Sequence, residues 1–519
     1  MDKYAKQALD EYNSESTAAH PGGVNGRLFW NINSSQFTFA PSFQFPFVPC
    51  AKKYRFTATD RNGKVHTFEA EEPTASLAPI WGDIPTGFVE LKVHSLGEES
   101  GEVRHLIGAR TFFKSAPFPG REALPKRPRS YREAALASSR FIYSDEILQY
   151  WLKNGLPKPD YAHHVYPAKM NSSIILAMVD YVAMSPENKE NALSIARSAA
   201  DYMISISFPE GHPLEGLPPT YSFDGLDADV INEVAPAAKD CVDTTMMIYP
   251  VAAGNAYLAL FGATEDKKYF DAALKIANFY KENMHPLGSW YLLYDCKTGK
   301  PLKDNLCLEF RFVEFFRSLY KITGDECWSE IADKHYHYIS ELCLKDYKWE
   351  GQFEDVPVSG NYRNLTHFTA NKLIGYIAEL HKGDAEKIEV AKDLMRFIED
   401  QFVVWGEYGV WDEKAPLERL TPAGLEQYFC YVPIDSSTAT IARGFMNLYR
   451  LTNERLYLEK AMALADIIVT RQEESGLIPT FFIDKNCAYG KFNYWINCQI
   501  MTTTFLLEIA ELTEAEGIE

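Results

Sequence analysis

Residues 241–280 read CVDTTMMIYPVAAGNAYLALFGATEDKKYFDAALKIANFY. Apolar residues recur at helical spacing on both sides of a short polar break, so the stretch predicts two amphipathic helices folded back on each other. The break is repeated along the chain. LFGATEDKKYFDAA, LYKITGDECWSEIA and LYRLTNERLYLEKA each keep a threonine five residues before an aromatic: Thr264 before Tyr269, Thr323 before Trp328, Thr452 before Tyr457. Looser copies stand near Ser185 (YVAMSPENKENALSIA) and Gly383 (ELHKGDAEKIEVAKDL). Five hairpins make ten helices. YREAALASSRFIYSDEILQYWLKN before them and FNYWINCQIMTTTFLLEIAEL after them bring the expected number to twelve.

The turns are spaced about 60 to 80 residues apart, roughly twice the period of a TPR array. The excess lies in long connections: residues 206–240, MHPLGSWYLLYDCKTGKPLKDN, KWEGQFEDVPVSGNYRNL and VVWGEYGVWDEKAPLERLTPAGLEQYFCYVP. Short turns on one edge and long aromatic loops on the other imply one working face. Neither terminal helix has the polar outer face of a solenoid cap, so the helices are expected to close into an (α/α)6 toroid with every second helix on the inside. The inner helix starts then gather His163, His164, Tyr166, Lys169, Asp243, Glu309, Arg311, Asn364, His367, Asp435, Asn493 and Trp495 around one cleft.

Upstream the pattern changes. KKYRFTATDRNGKVHTFEAEEP alternates apolar and polar residues about Asn62-Gly63, a hairpin signal, and GFVELKVHSLG and RHLIGARTFFK continue it. Residues 26–115 are therefore expected to form an immunoglobulin- or fibronectin-like β-sandwich. Residues 1–25 read as a polar leader, the Pro- and Arg-rich 116–130 as a linker, and 131–519 as the toroid of a mainly α protein.

Composition narrows the function. The 519 residues are 46% hydrophobic and 14% aromatic, enough for a large core. A net charge of -19 without basic stripes argues against nucleic acid as a partner. The nine cysteines are scattered and form no C-x-x-C pair, against a disulfide framework or a zinc cluster. No apolar run approaches ~18 residues, so no membrane span is expected. The start, MDKYAKQALDEYNSES, lacks the apolar core of a signal peptide; the expected location is cytoplasmic, or periplasmic or secreted if a signal segment has been removed. Without a P-loop, H-E-x-x-H or G-x-S-x-G, neither cofactor nor metal is expected.

VDTTMMIYP, from Val242, resembles the helix start -IDTMMN-P of unsaturated glucuronyl hydrolases, within the six-hairpin glycosidase superfamily. The expected helix count extends that likeness over residues 131–519. The resemblance implies a glycoside hydrolase with Asp243 as general acid, removing a terminal sugar, a uronic acid of glucuronyl type, from an oligosaccharide. Two departures stand out. PDYAHHVYPAKMN places His163 and His164 where that family has another aspartate, and small intracellular members lack an N-terminal sandwich. Action on a glycosidic bond next to a uronic acid is thus favoured over the narrower unsaturated-uronide activity.

Cleaving a glycosidic bond calls for two carboxyl groups, and Glu309 and Asp435 are the candidate partners of Asp243. Both aspartates also read as N-caps, which lowers an acid's pKa unless desolvation offsets it. Glu309, in CLEFRFVEFF, pairs with Arg311 or Arg317 or faces a cavity. Pro250 is expected to kink the helix that follows Asp243. Lys169, Arg311, Arg363 and Lys491 are candidates for a uronate carboxylate. His163, His164, Tyr166 and His367 are candidate substrate contacts, and Trp290, Trp405, Trp411, Tyr428 and Trp495 candidate stacking rings. Two other readings stay open. A uronate lyase or epimerase would use a His163, His164, Tyr166 or Lys169 base at C5, and a non-catalytic glycan-binding scaffold would use the carboxylates as caps.

Overall fold

The computed structural model describes residues 1–14, 34–49, 51–97, 102–228, 241–356, 363–407, 420–428, 430–483 and 494–518. The chain opens with a helix, α1 (Lys3–Ser14), where the sequence suggests only a polar leader. Its Ala5, Ala8 and Tyr12 are buried, and the Tyr12 hydroxyl donates to Glu399 far along the chain.

The strands β1 (Gln36–Phe37), β2 (Ser42–Gln44), β3 (Lys53–Thr59), β4 (Val65–Ala70), β5 (Thr74–Ser76), β6 (Gly87–Leu96) and β7 (Val103–Lys114) follow, with a short helix α2 (Ala78–Trp81) after β5. The Asn62-Gly63 hairpin joins β3 to β4 as its sequence predicts. Gly63 has φ +78°, and the Asp60 carboxylate accepts the N–H groups of Asn62 and Lys64. Tyr54, Phe56 and Ala58 alternate inward along β3. Among the described residues the expected two-sheet sandwich is not seen. These strands form one sheet, β1-β7-β6-β3-β4, with β1 parallel to β7, and a separate two-stranded ribbon, β2-β5. The ribbon and α2 cover the apolar face: Phe43 and Trp81 pack on Phe112 at 5.6 and 6.0 Å between ring centres. Residues 116–130 are strapped to the helices beyond, Arg121 and Arg127 both pairing with Asp466 at 2.6 and 3.3 Å.

Helices then dominate: α3 (Tyr131–Ser144), α4 (Glu146–Asn154), α5 (Pro167–Met184), α6 (Lys189–Ser205), the ribbon strand β8 (Thr244–Met246), α7 (Ile248–Thr264), α8 (Lys267–Glu282), β9 (Leu293–Asp295), α9 (Arg311–Thr323) and α10 (Glu326–His337). After them come α11 (Phe368–Leu380), α12 (Ala385–Phe402), β10 (Val403–Val404), β11 (Ala423–Gln427), β12 (Cys430–Pro433), α13 (Asp435–Thr452), α14 (Arg455–Arg471) and α15 (Ile496–Ala515). The first expected helix is broken in two, because Asp145 ends α3 and caps α4 by accepting the Ile147 N–H. α5, α7, α9, α11, α13 and α15 form the inner ring. α15 closes it by packing on α5 and α3, with Ser138 and Thr503 hydroxyls 2.7 Å apart. Gly254 admits close inner contact: a Cβ there would lie 2.6 Å from the Phe315 ring.

The repeated threonine has one job at three turns. Thr264, Thr323 and Thr452 each donate to the carbonyl four residues back, at 2.7, 2.8 and 2.8 Å, and each accepts the N–H two residues on. The side chain thus closes one helix and fixes the residue that starts the next. At this edge α8, α10 and α12 are capped by Asp266, Asp325 and Asp384. At the opposite edge none of the six inner helices has a side-chain cap. There α5 begins at Pro167, which has no N–H, and the first N–H groups of α11, α13 and α15 go to Thr366 Oγ1, the Thr480 carbonyl and Tyr161 Oη.

Candidate active site

The inner helix starts converge on an ion pair. Lys169, in the first turn of α5, holds Nζ 2.5 Å from Glu354 Oε1, and its ammonium sits 4.8 Å from the centre of the Trp495 ring at the start of α15. Glu354 comes from the connection between α10 and α11. Its second oxygen accepts the hydroxyl of Tyr249, in the first turn of α7. Its N–H donates to Tyr249 Oη at 3.2 Å, and its carbonyl accepts the Tyr221 hydroxyl at 2.7 Å. Burial works against this carboxylate, but Lys169 and Tyr249 outweigh it and hold the group below the usual glutamate range.

Two more carboxyl groups share this field. The Asp355 residue is exposed; desolvation of its carboxyl, then the adjacent Glu354 charge, raises it to about 6, against the pull of Lys169. Glu426, half-buried on β11, is raised to about 7 by burial, then by Asp355 and Glu354, with Lys169 opposing. Its carbonyl accepts the Thr366 hydroxyl at 2.9 Å, and its Oε2 accepts Gln427 Nε2 at 3.3 Å. Asp435, the first residue of α13, is fully buried. Thr502 donates to its Oδ2 at 2.9 Å, while Oδ1 has no hydrogen-bond partner among the described residues. Burial pushes this acid well above the usual aspartate range. With several carboxyls around one ammonium, Asp355 and Glu426 take up protons at higher pH than ordinary carboxyls do.

The other residues singled out from sequence fall into three groups. His163, Tyr166 and Trp495 stand beside Lys169: His163 stacks on Trp495 at 3.7 Å, and its Nδ1 lies 3.2 Å from the Tyr161 hydroxyl. Burial, with Lys169 and His164 adding, pushes the His163 imidazole down to about 3. Arg311 and Glu309 flank the start of α9, 4.0 Å apart, and the Glu309 carbonyl faces His335 Nε2 at 3.1 Å.

A second group is built into the walls. His164 is buried edge-on to Trp151 and Tyr161, with neither ring nitrogen partnered among the described residues. His367 lies against Phe368 and Phe402, with Nδ1 taking the Asn371 amide at 3.0 Å. Burial brings each imidazole down to about 3. Tyr428 stacks on Phe402, Asn364 donates to Gln427, and Trp405 donates to Glu399. Trp290 is a core residue and not a loop platform. It is fully buried, stacked on Phe312 at 4.4 Å, with its indole N–H on the Tyr280 carbonyl.

The third group is displaced. Asp243 does not begin a helix. Residues 244–246 pair with 293–295 as a ribbon and α7 starts at Ile248, which places Pro250 in its first turn, where no N–H is required, and so removes the expected kink. The Asp243 side chain is 60% exposed and pairs with Lys297 at 2.9 Å. Arg363 is exposed. Lys491, Asn493 and Trp411 lie outside the described residues. Sequence reasoning missed Glu354, Asp355, Glu426, Tyr221 and Tyr249. The carboxylates sat in view within KWEGQFEDVPVSGNYRNL and AGLEQYF, but only as parts of long connections. Among the described residues no cluster of His, Cys, Asp and Glu is arranged to hold a metal, and no helix is long and apolar enough to cross a membrane.

No protein-family profile matches the sequence, and no curated protein matches it. Solved structures do. The cellobiose 2-epimerase from Spirochaeta thermophila DSM 6192 aligns with a TM-score of 0.51 at 13% identity, over 74% of this chain and 98% of that one. The GH76A alpha-1,6-mannanase from Salegentibacter sp. HEL1_6 gives 0.47 at 14% identity, over 74% and 100%. An unsaturated glucuronyl hydrolase specific for heparin gives 0.43 at 11%, over 74% and 96%. At such identities the likeness is one of fold. The alignment with the epimerase, together with the ring of inner helices, gives the fold of this chain as a helical-hairpin toroid.

Proposed function

We propose that the protein is a glycoside hydrolase in which Glu426 is the general acid and Asp355 the opposing carboxylate. The observation that carries this reading is the Lys169–Glu354 ion pair, which commits both oxygens of Glu354 and in whose field Glu426 and Asp355 are raised to about 7 and about 6. Glycosidic cleavage needs one carboxyl to protonate the leaving oxygen and one carboxylate to attack or to activate water. Glu354 has both oxygens committed, so it acts as a fixed charge that keeps its neighbours protonatable. Trp495, partly exposed and backed by His163, is the ring available to a sugar.

A uronic acid at the cleaved bond would bring another carboxylate beside Glu354, Asp355, Glu426 and Asp435, with Lys169 already bound to Glu354. The charge balance therefore favours an uncharged sugar there. A uronic acid stays the second reading, supported by the Arg311 guanidinium near Tyr249 and Glu354. In a lyase or epimerase the neutral His163 imidazole would be the base.

The test is product analysis on a panel of neutral and uronate oligosaccharides with the wild type and Glu426→Gln. The proposal expects new reducing ends from the wild type and a loss of roughly 10²–10⁴-fold in the variant. An ultraviolet-absorbing unsaturated product, or solvent deuterium in an uncleaved sugar, would replace hydrolysis by elimination or epimerisation.

A further inference from the structure

The amino-terminal sheet does more than sit beside the toroid. The residues before and along β1 enter the seam next to the strand that bears Glu426. Gln36 donates from Nε2 to the Gln401 carbonyl at 3.0 Å, and Gln401 donates from Nε2 to the Gln36 carbonyl at 3.0 Å. The two amides thus cross-link β1 to the end of α12. Gln401 Oε1 in turn accepts the Tyr428 hydroxyl at 3.0 Å, and the same hydroxyl lies 3.0 Å from Ser34 Oγ. Beside Gln401 in the chain, the Asp400 carboxylate accepts the backbone N–H groups of Thr38 and Phe39 at 2.7 and 2.9 Å. Ser34, Gln36, Thr38, Asp400, Gln401 and Tyr428 are all at least nine-tenths buried.

This network reaches the proposed acid by two short routes. α12 runs directly into β10, and Val403 and Val404 pair with Gly424 and Ala423 of β11, the strand of Glu426. Tyr428, two residues beyond Glu426, is held from one side by Ser34 and Gln401 and donates its own N–H to the Leu365 carbonyl at 3.1 Å. One end of the acid-bearing strand therefore pairs with the segment that Gln36 cross-links, and the residue just past its other end bonds to Ser34 and Gln401.

We propose that the Ser34–Phe39 segment of the amino-terminal sheet positions the β11 strand, and hence Glu426, through Gln36, Gln401 and Tyr428. This inference rests on Glu426 acting as the acid. Gln36, Gln401 and Tyr428 are positioning residues: buried amides and hydroxyls with fully paired partners define one geometry, and a displaced acid loses rate more than affinity.

The experiment uses the full chain with Gln36→Leu and Tyr428→Phe, the second keeping the ring that stacks on Phe402. Two readouts are taken. Amide hydrogen exchange over Ala423–Gln427 should accelerate in both variants while the α5 and α7 amides stay protected. On a turned-over oligosaccharide, kcat should fall by roughly 10- to 100-fold with KM nearly unchanged, and the alkaline limb of the pH profile should move. Unchanged exchange in the strand overturns the inference. A faster strand with unaltered kcat and pH profile overturns it too, by showing a merely structural seam. If the wild type cleaves no glycan the functional proposal fails, and the strand exchange still decides whether the sheet holds β11.

Discussion

Lys169 Nζ and Glu354 Oε1 lie 2.5 Å apart although 185 residues separate them in the chain. The pair exists only because ring closure carries the start of α5 to the loop before α11. Around it the toroid arranges its other acids.

Removing one partner leaves a buried charge without compensation. Lys169→Met is expected to cost about 3–5 kcal/mol in urea unfolding, and Lys169→Met combined with Glu354→Gln to recover much of it. The sign of the pH dependence follows from the lowered Glu354 carboxyl. Its stabilising contribution is fully present above the ordinary glutamate value of 4.5 and is lost as pH falls through the lower folded value. Urea midpoints between pH 7 and pH 3 check this: the wild type should lose more stability on acidification than the double variant.

The pH profile of activity should be bell-shaped. The general base works only when ionised, so turnover falls as pH drops through about 6, the Asp355 value. The general acid works only when protonated, so turnover falls as pH rises through about 7, the Glu426 value. The two limbs belong to the coupled pair, and Asp355→Asn should remove the acidic one. Initial rates across pH 4 to 9, in steps of about half a unit, would show either the bell or its absence.

The hairpin threonines make a separate, local prediction. Thr452→Val keeps the shape of the side chain but removes its bond to the Leu448 carbonyl and the acceptor for the Glu454 N–H. The expected loss is about 1 kcal/mol in denaturant titration, with turnover per folded molecule unchanged. An equal drop in kcat would mean that this outer edge communicates with the site.

The fold was largely legible because it repeats. The apolar period, the threonine turns and the long loops on one edge are local signals, and together they place Lys169, Asp435, Tyr166 and Trp495 at inner helix starts without any tertiary information. Legibility ended where local signals are ambiguous. Asp243 before two threonines reads as a helix start, but pairing of β8 with β9 and the position of Pro250 delay the helix to Ile248. Trp290 in a Gly/Pro-rich loop looks like a platform, and only its stack on Phe312 shows it to be core. Alternation along β3 and β6 identified strands but not what would cover them, a ribbon and a short helix in place of a second sheet. Glu354, Asp355 and Glu426 carry no periodic signal at all. Their roles come from desolvation and from one another's charge, which no stretch of sequence displays.

The most direct test sets Glu426→Gln beside Asp243→Asn and compares kcat/KM on the same cleaved oligosaccharide. With Glu426 as the proposed acid and Asp243 an exposed partner of Lys297, Glu426→Gln should lose roughly 10²–10⁴-fold while Asp243→Asn keeps wild-type turnover. Retained turnover in Glu426→Gln together with its collapse in Asp243→Asn would contradict this account and return the chemistry to the helix-start motif.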